Sequence, residues 1–451
     1  MSSYKNYYFL GIGGIGMSAI ARYFHHAGYA VSGYDRTPSA LTAELEAEGI
    51  AVHYDDNPAT VPQNVAETFV IYTPAVPEDL GEFRFIREKG YALCKRSRAL
   101  GEIARGQKCL AVSGTHGKTT TSTLLAHILT QGGGGCSAFL GGISKNYSTN
   151  LLLSKNPVLV AEADEFDRSF LQLNPAIAVV TATDADHLDI YNDRSHLLEA
   201  FGQFAAQVSE SLVVKAGVEL PLGGVTARVY RYAYDTPCDF YASDIVALEG
   251  GRFDFTLNTP MGRFQHWSVG IPGWVNVENA VAASAVALLH GTDPEEVRKA
   301  VATFSGVKRR FDIHLNTPKI AYVDDYAHHP NEIKAAITSI RNIFPGRTLC
   351  GIFQPHLYTR TRDFADEFAE ALSHLDALIM LPIYPARELP IPGVCSEMIL
   401  DKVTLSDKQL VPKDRLMETL AARKLDCLIT FGAGDIDRFI EPIENWLRTL
   451  C

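Results

Sequence analysis

Long apolar runs, cysteine pairs and an excess of basic residues are all missing from this chain of 451 residues. No apolar run reaches the ~18 residues that a membrane-spanning helix needs, so we expect no membrane insertion. The formal net charge of −11 at pH 7 argues against general binding to nucleic acids or anionic membranes. Hydrophobic residues make up 47% and charged residues 21% of the chain, which is the composition of a folded globular protein.

The eight cysteines also exclude two classes of site. None lies in a C-x-x-C pair, which argues against zinc ribbons and dithiol redox motifs.

The N-terminal residues lead directly into a strand-like run at residues 7–10, without the apolar segment and cleavage site of a secretory signal. We therefore expect a cytoplasmic protein with free thiols.

The length and the residue pattern predict three α/β domains. At ~150 residues per domain, the chain corresponds to roughly three domains. Short apolar, β-branched runs alternate with helical patterns, which is typical of parallel sheets flanked by helices. Glycines, acids and histidines follow several strand ends, where ligands collect in such sheets. These strand-like runs end near Leu10, Val31, Ile71, Ser113, Ala161, Thr181, Val323, Phe353 and Phe431.

One segment departs from this alternation, between residues 237 and 272. Residues 239–245 and 252–257 have the pattern of short strands on either side of Gly250-Gly251. They predict an antiparallel addition to the middle sheet.

A glycine-rich loop follows the first strand-like run. It reads Gly11-Ile12-Gly13-Gly14-Ile15-Gly16, a G-x-G-x-x-G pattern before a predicted helix over residues 17–26. Such glycines allow a diphosphate to approach the helix N-terminus closely. Asp35 ends the next predicted strand, 19 positions after the last glycine, where it can accept hydrogen bonds from a ribose. The residues alone fit NAD, a UDP-sugar or a tight turn without a ligand.

A second glycine-rich loop has the residue types of a phosphate-binding P-loop. It reads Gly114-Thr115-His116-Gly117-Lys118-Thr119-Thr120 before a predicted helix over residues 121–130, with two residues between its glycines where the usual pattern has four. Backbone N–H groups of such a loop face phosphate oxygens, its lysine reaches the β- and γ-phosphates, and the next hydroxyl holds Mg²⁺. We therefore predict ATP binding; the alternative is a helix start rich in glycine and threonine.

A P-loop needs a second metal-binding carboxylate at a neighbouring strand end. Glu162 follows one strand-like run closely, and carboxylates of this kind suit a hard cation. Mg²⁺ prefers oxygen, so on chemistry alone His187 is a hydrogen-bond partner beside the metal rather than a ligand. The acids that do not bind metal are expected to cap helices or face solvent. The other acids of these two strand ends are Asp164, Glu165, Asp167, Asp184, Asp186 and Asp189.

With these motifs the sequence resembles the Mur ligases, the ATP-dependent amide-forming enzymes of peptidoglycan precursor synthesis. The shortened P-loop and the D-D-Y-x-H-H-P-x-E-I stretch are highly specific together. The resemblance covers nearly the whole chain and rests on residues 11–18, 113–121, 161–170, 184–189, 273–279, 324–333, 354–363 and 432–436.

The resemblance implies three domains and assigns ligands to them. A Rossmann-like domain over residues 1–108 would bind the UDP-sugar, a P-loop ATPase domain over 109–312 would bind ATP, and a Rossmann-like domain over 313–451 would bind the amino acid. Thr119, Glu162 and His187 would hold Mg²⁺. Asn276 and Asn279 would bind adenine, although Val275 replaces the histidine of the family pattern G-x-H-N-x-x-N. The UDP-sugar would lie on Gly11, Gly13, Gly14, Ile15, Gly16 and Asp35.

The last third of the chain has histidines and arginines at two predicted strand ends, where they can bind carboxylate or phosphate. One of His328 and His329 is expected only to cap or pack. By resemblance, His356 and Arg360 lie near substrate with His328 in the same cleft, and Arg310, in an interdomain hinge, would reach ATP. Many family members have arginine at the position of Leu357 and glycine at that of Ala327, which leaves the contact to the amino-acid carboxylate open.

The resemblance implies a ligase that uses ATP and Mg²⁺ to join L-alanine to the lactyl carboxylate of UDP-N-acetylmuramate through an acyl phosphate. Lys118, His356, Arg360 and His328 are its predicted catalytic residues, and a monomer or homodimer is expected. One alternative is a family member that attaches a tripeptide to the same carboxylate. The others are a dehydrogenase that binds NAD at the first glycine loop and a nucleotide-binding module without catalytic activity.

Overall fold

The computed structural model describes residues 4–184, 191, 193–386 and 388–451. The chain divides into two compact units. The first consists of Met1–Ile245, Phe255–Gly270 and Glu278–Ser305, and the second of Val246–Asp254, Ile271–Val277 and Gly306–Cys451.

The first sheet of the first unit is a parallel, Rossmann-like sheet. Its five strands are ordered β3-β2-β1-β4-β5, and every neighbouring pair is parallel. The strands are β1 Asn6–Leu10, β2 Ala30–Tyr34, β3 Ala51–His53, β4 Thr68–Tyr72 and β5 Ala92–Lys95. The helices are α1 Ile15–His26, α2 Ala40–Ala47, α3 Gly81–Lys89 and α4 Arg96–Ala104, with 3-10 turns at Pro58–Thr60 and Val65–Glu67.

The second sheet has ten strands in the order β15-β14-β13-β12-β11-β10-β6-β9-β7-β8. Its central pairs are parallel, whereas β8 is antiparallel to β7. The strands are β6 Lys108–Ser113, β7 Ser137–Ser144, β8 Thr149–Leu152, β9 Val158–Ala163, β10 Ile177–Val180, β11 Ser211–Lys215, β12 Arg228–Ala233, β13 Phe240–Ala247, β14 Phe253–Thr259 and β15 Gly262–Ser268. The helices are α5 Lys118–Gln131, α6 Arg194–Ala206, α7 Trp274–His290 and α8 Pro294–Thr303, with 3-10 turns at Phe166–Gln172 and Glu249–Gly251.

The third sheet lies in the second unit and has the order β16-β17-β21-β18-β19-β20. All its pairs are parallel except β16 with β17. The strands are β16 Asp312–Asn316, β17 Ala321–Asp325, β18 Leu349–Phe353, β19 Ala377–Met380, β20 Lys408–Leu410 and β21 Cys427–Phe431. The helices are α9 Pro330–Ile343, α10 Tyr358–Asp363, α11 Ala365–Leu372, α12 Glu397–Leu400, α13 Leu416–Ala421 and α14 Ile440–Arg448, with 3-10 turns at Lys413–Arg415 and Asp435–Phe439.

Alternating side chains of the central strands enter different apolar clusters. In β1, Tyr7 and Phe9 belong to one cluster, and Tyr8 and Leu10 belong to another. In the third sheet, Val323 and Tyr322 of β17 are divided in the same way. Parallel strands with both faces covered explain why these segments read as nearly continuous apolar runs in the sequence.

The predicted α/β class with parallel sheets is confirmed, and β13–β15, within residues 237–272, extend the middle sheet, although β13 joins β12 in parallel rather than antiparallel. Two helices begin earlier than predicted: α1 at Ile15 rather than 17, and α5 at Lys118 rather than 121. In both cases the last residues of the glycine loop already form the first helical turn. None of the eight cysteines, all of which the structure describes, is paired in a disulfide. Within the described ranges, no helix combines the length and apolar character needed to cross a membrane.

Candidate active site

The P-loop connects β6 to α5 and lies against the end of β10. Gly114 has φ +132°, and a Cβ there would lie 2.2 Å from Thr181 Oγ1, so only glycine fits. Thr115 N–H donates to Ala182 O at 3.0 Å. Gly117, with φ +77°, precedes the first helical residue, Lys118. The loop therefore ends at a helix N-terminus, the backbone arrangement that suits a phosphate group.

Lys118 forms a buried ion pair in this structure. Its Nζ lies 2.9 and 2.7 Å from the two carboxylate oxygens of Glu165, whose side chain is 0% exposed. Burial alone would lower the pKa of Lys118, but Glu165, Asp164 and Glu162 together raise it above its usual value. The lysine is therefore held as a cation at the start of α5. From the sequence, Glu165 was one of several acids after a predicted strand, and its pairing with Lys118 was not predicted.

Thr119, in the first turn of α5, meets Glu162 near the end of β9, as the P-loop pattern predicts. Thr119 Oγ1 donates to Glu162 Oε1 at 3.1 Å, and the other carboxylate oxygen accepts from Gly141 N–H at 3.1 Å. A hydroxyl and a carboxylate are oxygen donors of the kind that Mg²⁺ prefers. His187 lies outside the described residues. Within those residues, no three or more His, Cys, Asp or Glu side chains form a group that could hold a metal.

The remaining predicted ATP-binding residues fall in both units. In the first unit, His116 Nε2 lies 3.3 Å from Asp184 Oδ2. Thr121 Oγ1 donates to Asn279 Oδ1 at 3.2 Å, which places Asn279 beside the first turn of α5, where Thr120 is also found. Asn276 belongs to the second unit, where its Nδ2 donates to Pro272 O at 2.6 Å.

The other acids that follow β9 are engaged within the first unit. Asp164 accepts from Phe166 N–H, two residues later, at 3.3 Å and lies 3.5 Å from Arg96 Nη2. Asp167 pairs with Lys95 Nζ at 2.7 Å. The expectation that acids outside the metal site cap helices or face solvent agrees with Asp164 and Asp167, whose side chains are 33% and 29% exposed. It is wrong for Glu165, which is 0% exposed and pairs with Lys118.

The first glycine loop has the geometry that its pattern predicts. Gly11 has φ +83° and its N–H donates to Tyr34 O at 2.8 Å. Gly13 N–H donates to Asp35 Oδ2 at 2.7 Å, and a Cβ on Gly13 would lie 2.9 Å from that oxygen. Gly14 precedes Ile15 at the start of α1, and no side chain caps this helix. Asp35 thus lies at the loop, where it fixes the backbone at Gly13.

Arg96 borders the same helix and was not found from the sequence. It is the first residue of α4, directly after β5. A Cβ on Gly16 would lie 2.4 Å from Arg96 Nη1, so the third glycine of the pattern makes room for a guanidinium group. The only sequence signal is a basic pair, Lys95-Arg96, after a strand.

In the second unit, His328, His356 and Arg360 come together. Arg360 Nη1 donates to His356 Nδ1 at 3.4 Å, and the rings of His328 and His356 are 6.0 Å apart. The Tyr384 ring stacks on His356 at 5.8 Å. Tyr384 follows β19 and has no motif around it, so sequence reasoning missed it.

The neighbouring residues have structural roles. The His329 side chain accepts from Asn331 N–H and caps α9, with Glu332 completing the capping box, so it is His329 that caps. Leu357 is only 4% exposed and has φ +70°. Its N–H donates to Tyr384 O at 3.0 Å. Leu357 is therefore a packing residue of this cluster, and Ala327, 2% exposed, is another.

Two arginines surround Tyr326 in the second unit. Arg309 Nε donates to Asp324 Oδ2 at 3.1 Å, and Arg309 Nη2 donates to Gly432 O at 2.7 Å. The Arg310 guanidinium lies 4.8 Å from the centre of the Tyr326 ring. Burial raises the pKa of Asp325 to about 7, against the opposing effect of Arg310. Cationic and titratable groups are thus concentrated at the carboxyl end of β17.

Three family matches cover most of the chain. Residues 6–108 match the "Mur ligase family, catalytic domain", residues 112–287 the "Mur ligase middle domain" and residues 309–434 the "Mur ligase, glutamate ligase domain". A nucleotide-type glycine loop, a P-loop and a third α/β sheet in one chain are the parts of such an enzyme. The chain belongs to the Mur ligase family.

Particular relatives match over the full length. The UDP-N-acetylmuramate–L-alanine ligase of Parabacteroides distasonis is 49% identical, over 98% of this chain and 96% of the relative. The enzyme of the same name from Porphyromonas gingivalis W83 is 48% identical, over 99% of this chain and 100% of the relative. The crystal structure of UDP-N-acetylmuramate-alanine ligase from Thermotoga maritima has a TM-score of 0.84 at 27% identity, covering 98% of this chain and 99% of that one.

Proposed function

We propose that this chain is an ATP-dependent ligase that joins L-alanine to the lactyl carboxylate of UDP-N-acetylmuramate, a step of peptidoglycan precursor synthesis. The observation that carries the proposal is the P-loop, where Lys118 is held as a cation and Thr119 meets Glu162 at 3.1 Å. The choice of L-alanine is supported by the names of the relatives that are 48–49% identical over nearly their whole length.

The chemistry requires activation of a carboxylate. A carboxylate is a poor acyl donor, because its leaving group would be an oxide. If one of its oxygens attacks the γ-phosphorus of ATP, ADP leaves and an acyl phosphate forms. The amine of L-alanine then attacks the acyl carbon, and the C–O bond breaks to release phosphate and the amide. Several anions must therefore be gathered in one site, and fixed cations must oppose their charge.

The first unit offers positions for both nucleotides. The loop Gly11, Gly13, Gly14, Ile15 and Gly16, held by Asp35, would receive the diphosphate of UDP-N-acetylmuramate. The loop from Gly114 to Thr120 would receive the phosphates of ATP, with Lys118 opposing their charge. Thr119 and Glu162, with His187, would hold Mg²⁺, which when bound neutralises phosphate charge. Asn279 would contribute to the ATP site from the same unit, and Asn276 and Arg310 are assigned to ATP by the family resemblance alone.

His328, His356 and Arg360 would serve the acceptor amino acid. Arg360 can bind its carboxylate, since a guanidinium group pairs with a carboxylate through two parallel hydrogen bonds. His328 and His356 are the candidates to take a proton from the attacking amine. We assign UDP-sugar binding to the domain of residues 1–108, ATP binding to that of residues 109–312 and amino-acid binding to that of residues 313–451. The proposed enzyme is cytoplasmic and acts as a monomer or homodimer.

Acceptor choice tests this function. With ATP, Mg²⁺ and UDP-N-acetylmuramate, ADP release should require an added amine, and L-alanine should support a far higher kcat/KM than L-alanyl-γ-D-glutamyl-meso-diaminopimelate. A preference for the tripeptide would instead identify a recycling ligase. Absence of ADP release with either acceptor would contradict a ligase function and favour a binding module. Omitting UDP-N-acetylmuramate is the matched control, because ATP hydrolysis that persists without it is unrelated to ligation.

A further inference from the structure

A buried polar contact joins α1, the helix after the first glycine loop, to β8 in the first unit. Asn150 of β8 and Ser18 of α1 are 0% exposed, and Arg22 is 3% exposed. Asn150 Nδ2 donates to Ile15 O at 2.6 Å and to Ser18 Oγ at 2.9 Å. Asn150 Oδ1 accepts from Arg22 Nη1 at 2.6 Å. Because both ends of the amide have partners, its orientation is fixed.

Arg22 is itself held in place. Its Nε lies 2.9 Å from both carboxylate oxygens of Glu48, and its Nη2 donates to Glu44 at 3.0 Å. The guanidinium is thus a rigid donor toward Asn150. The packing around the contact is also close: Tyr23 of α1 lies 5.6 Å, ring to ring, from Phe139 of β7.

The Ile15 carbonyl links this contact to the orientation of the backbone N–H groups in the glycine loop. Ile15 is the first residue of α1, and Gly14 before it provides no side-chain cap. The Ile15 C=O and the Gly16 N–H belong to one planar peptide unit and point in opposite directions. The first N–H groups of a helix have no acceptor within the helix and are the groups that bind a diphosphate. The Asn150 bond and a bond from Ser18 Oγ at 2.9 Å both hold the Ile15 carbonyl, and together they set the direction of the Gly16 N–H.

We propose that Asn150 is a positioning residue for UDP-N-acetylmuramate: it holds the Ile15–Gly16 peptide from the side opposite the ligand, so that the loop N–H groups face the diphosphate. The inference rests on the proposed function, since it assumes this ligand at the glycine loop. Asn150 does not touch the ligand and acts through the backbone of α1.

An isosteric substitution tests the role. In Asn150→Asp a carboxylate oxygen replaces Nδ2 opposite the Ile15 carbonyl, while the pairing with Arg22 is retained. By calorimetry, the Kd for UDP-N-acetylmuramate should rise about 10- to 100-fold, the effect of turning a buried hydrogen bond into a repulsion. The Kd for ADP with Mg²⁺ should stay within about twofold, because that site is separate. Asn150→Ala removes the donor without adding charge and should raise the first Kd about tenfold.

Asn146 provides the control, as an asparagine of the turn between β7 and β8. Its Nδ2 donates to Thr303 O at 3.0 Å and its Oδ1 accepts from Ser305 N–H at 2.8 Å, both in the same unit and away from α1. Asn146→Ala should lower the Tm without changing either Kd. Unchanged UDP-N-acetylmuramate affinity in both Asn150 variants, equal loss of ADP affinity, or failure of both variants to fold would overturn the proposal. Failure of the wild-type chain to bind UDP-N-acetylmuramate would instead contradict the proposed function itself.

Discussion

Replacing Lys118 with alanine is expected to lower kcat by about 10³-fold while the Kd for UDP-N-acetylmuramate stays within about twofold. Lys118 starts α5 beside the second sheet, whereas the first glycine loop lies on the first sheet. The loss should therefore affect the phosphate chemistry of ATP and leave the UDP-sugar site intact. Turnover assays and calorimetry with UDP-N-acetylmuramate measure the two effects separately.

The ion pair with Glu165 determines the control for this substitution. Alanine at position 118 removes the lysine from a pair whose carboxylate is 0% exposed, and breaking a buried pair costs about 3–5 kcal/mol. The double variant Lys118→Ala with Glu165→Gln also removes the charge of that buried carboxylate. It should regain thermal stability relative to Lys118→Ala without regaining turnover. Full turnover in either variant, or equal loss of both ligands in a folded protein, would refute the assignment of Lys118 to ATP.

Replacing Glu162 with glutamine should lower kcat by about 10²- to 10³-fold and raise the Mg²⁺ concentration that gives half-maximal rate. The single oxygen of glutamine can accept from the Gly141 N–H and its amide NH2 can donate to the Thr119 hydroxyl, the two groups that lie 3.1 Å from the Glu162 oxygens, so the substitution removes the negative charge while both neighbours keep a partner. The effect therefore reports on charge rather than on folding. A magnesium titration of the initial rate is the measurement.

Asp167→Asn is the matched control, because Asp167 follows the same strand and pairs with a partly exposed Lys95. Such a pair contributes about 0–1 kcal/mol to stability, and its loss should leave the magnesium dependence unchanged.

His187→Ala separates the two roles considered for that residue, since a direct ligand would affect magnesium dependence more than a neighbouring hydrogen-bond partner. Unaltered magnesium dependence in both Glu162→Gln and His187→Ala would place the metal elsewhere.

The strands and loops of the nucleotide sites could be predicted from the sequence because glycine positions and apolar runs specify them directly. Gly114 and Gly11 adopt positive φ values that the pattern requires, and Glu162 meets Thr119 because β6 and β9 are parallel neighbours. These features depend on local backbone geometry and strand pairing. The positions of the glycines and the spacing of the apolar runs in the sequence specify both.

The partners of individual charged groups could not be predicted in the same way. After β9, the backbone enters the left-handed region at Asp167 and Arg168, with φ 51° and 54°, and Asp167 in this turn pairs with Lys95. Neither residue is a glycine, so the sequence gives no sign of the turn. Similarly, the rotation of α9 at its first turn makes His329 the cap and leaves His328 beside His356.

The boundaries of the two compact units also could not be predicted from the order of residues in the sequence. Val246–Asp254 and Ile271–Val277 belong to the second unit, although both lie within the predicted middle domain. The contacts that place them there are between residues far apart in the chain. For example, Gly251 lies so close to α9 that a Cβ at this position would be 2.2 Å from the Ile343 side chain.

Transfer of carboxylate oxygen to phosphate tests the acyl-phosphate mechanism most directly. The wild-type enzyme is supplied with ATP, Mg²⁺, L-alanine and UDP-N-acetylmuramate whose lactyl carboxylate is labelled with ¹⁸O. If that carboxylate attacks the γ-phosphorus, its oxygen bridges carbon and phosphorus and leaves with phosphate when the amine attacks. Mass spectrometry should therefore find ¹⁸O in the inorganic phosphate as well as in the amide. Label in the amide and water, but never in phosphate, would contradict the mechanism and the role given to the P-loop.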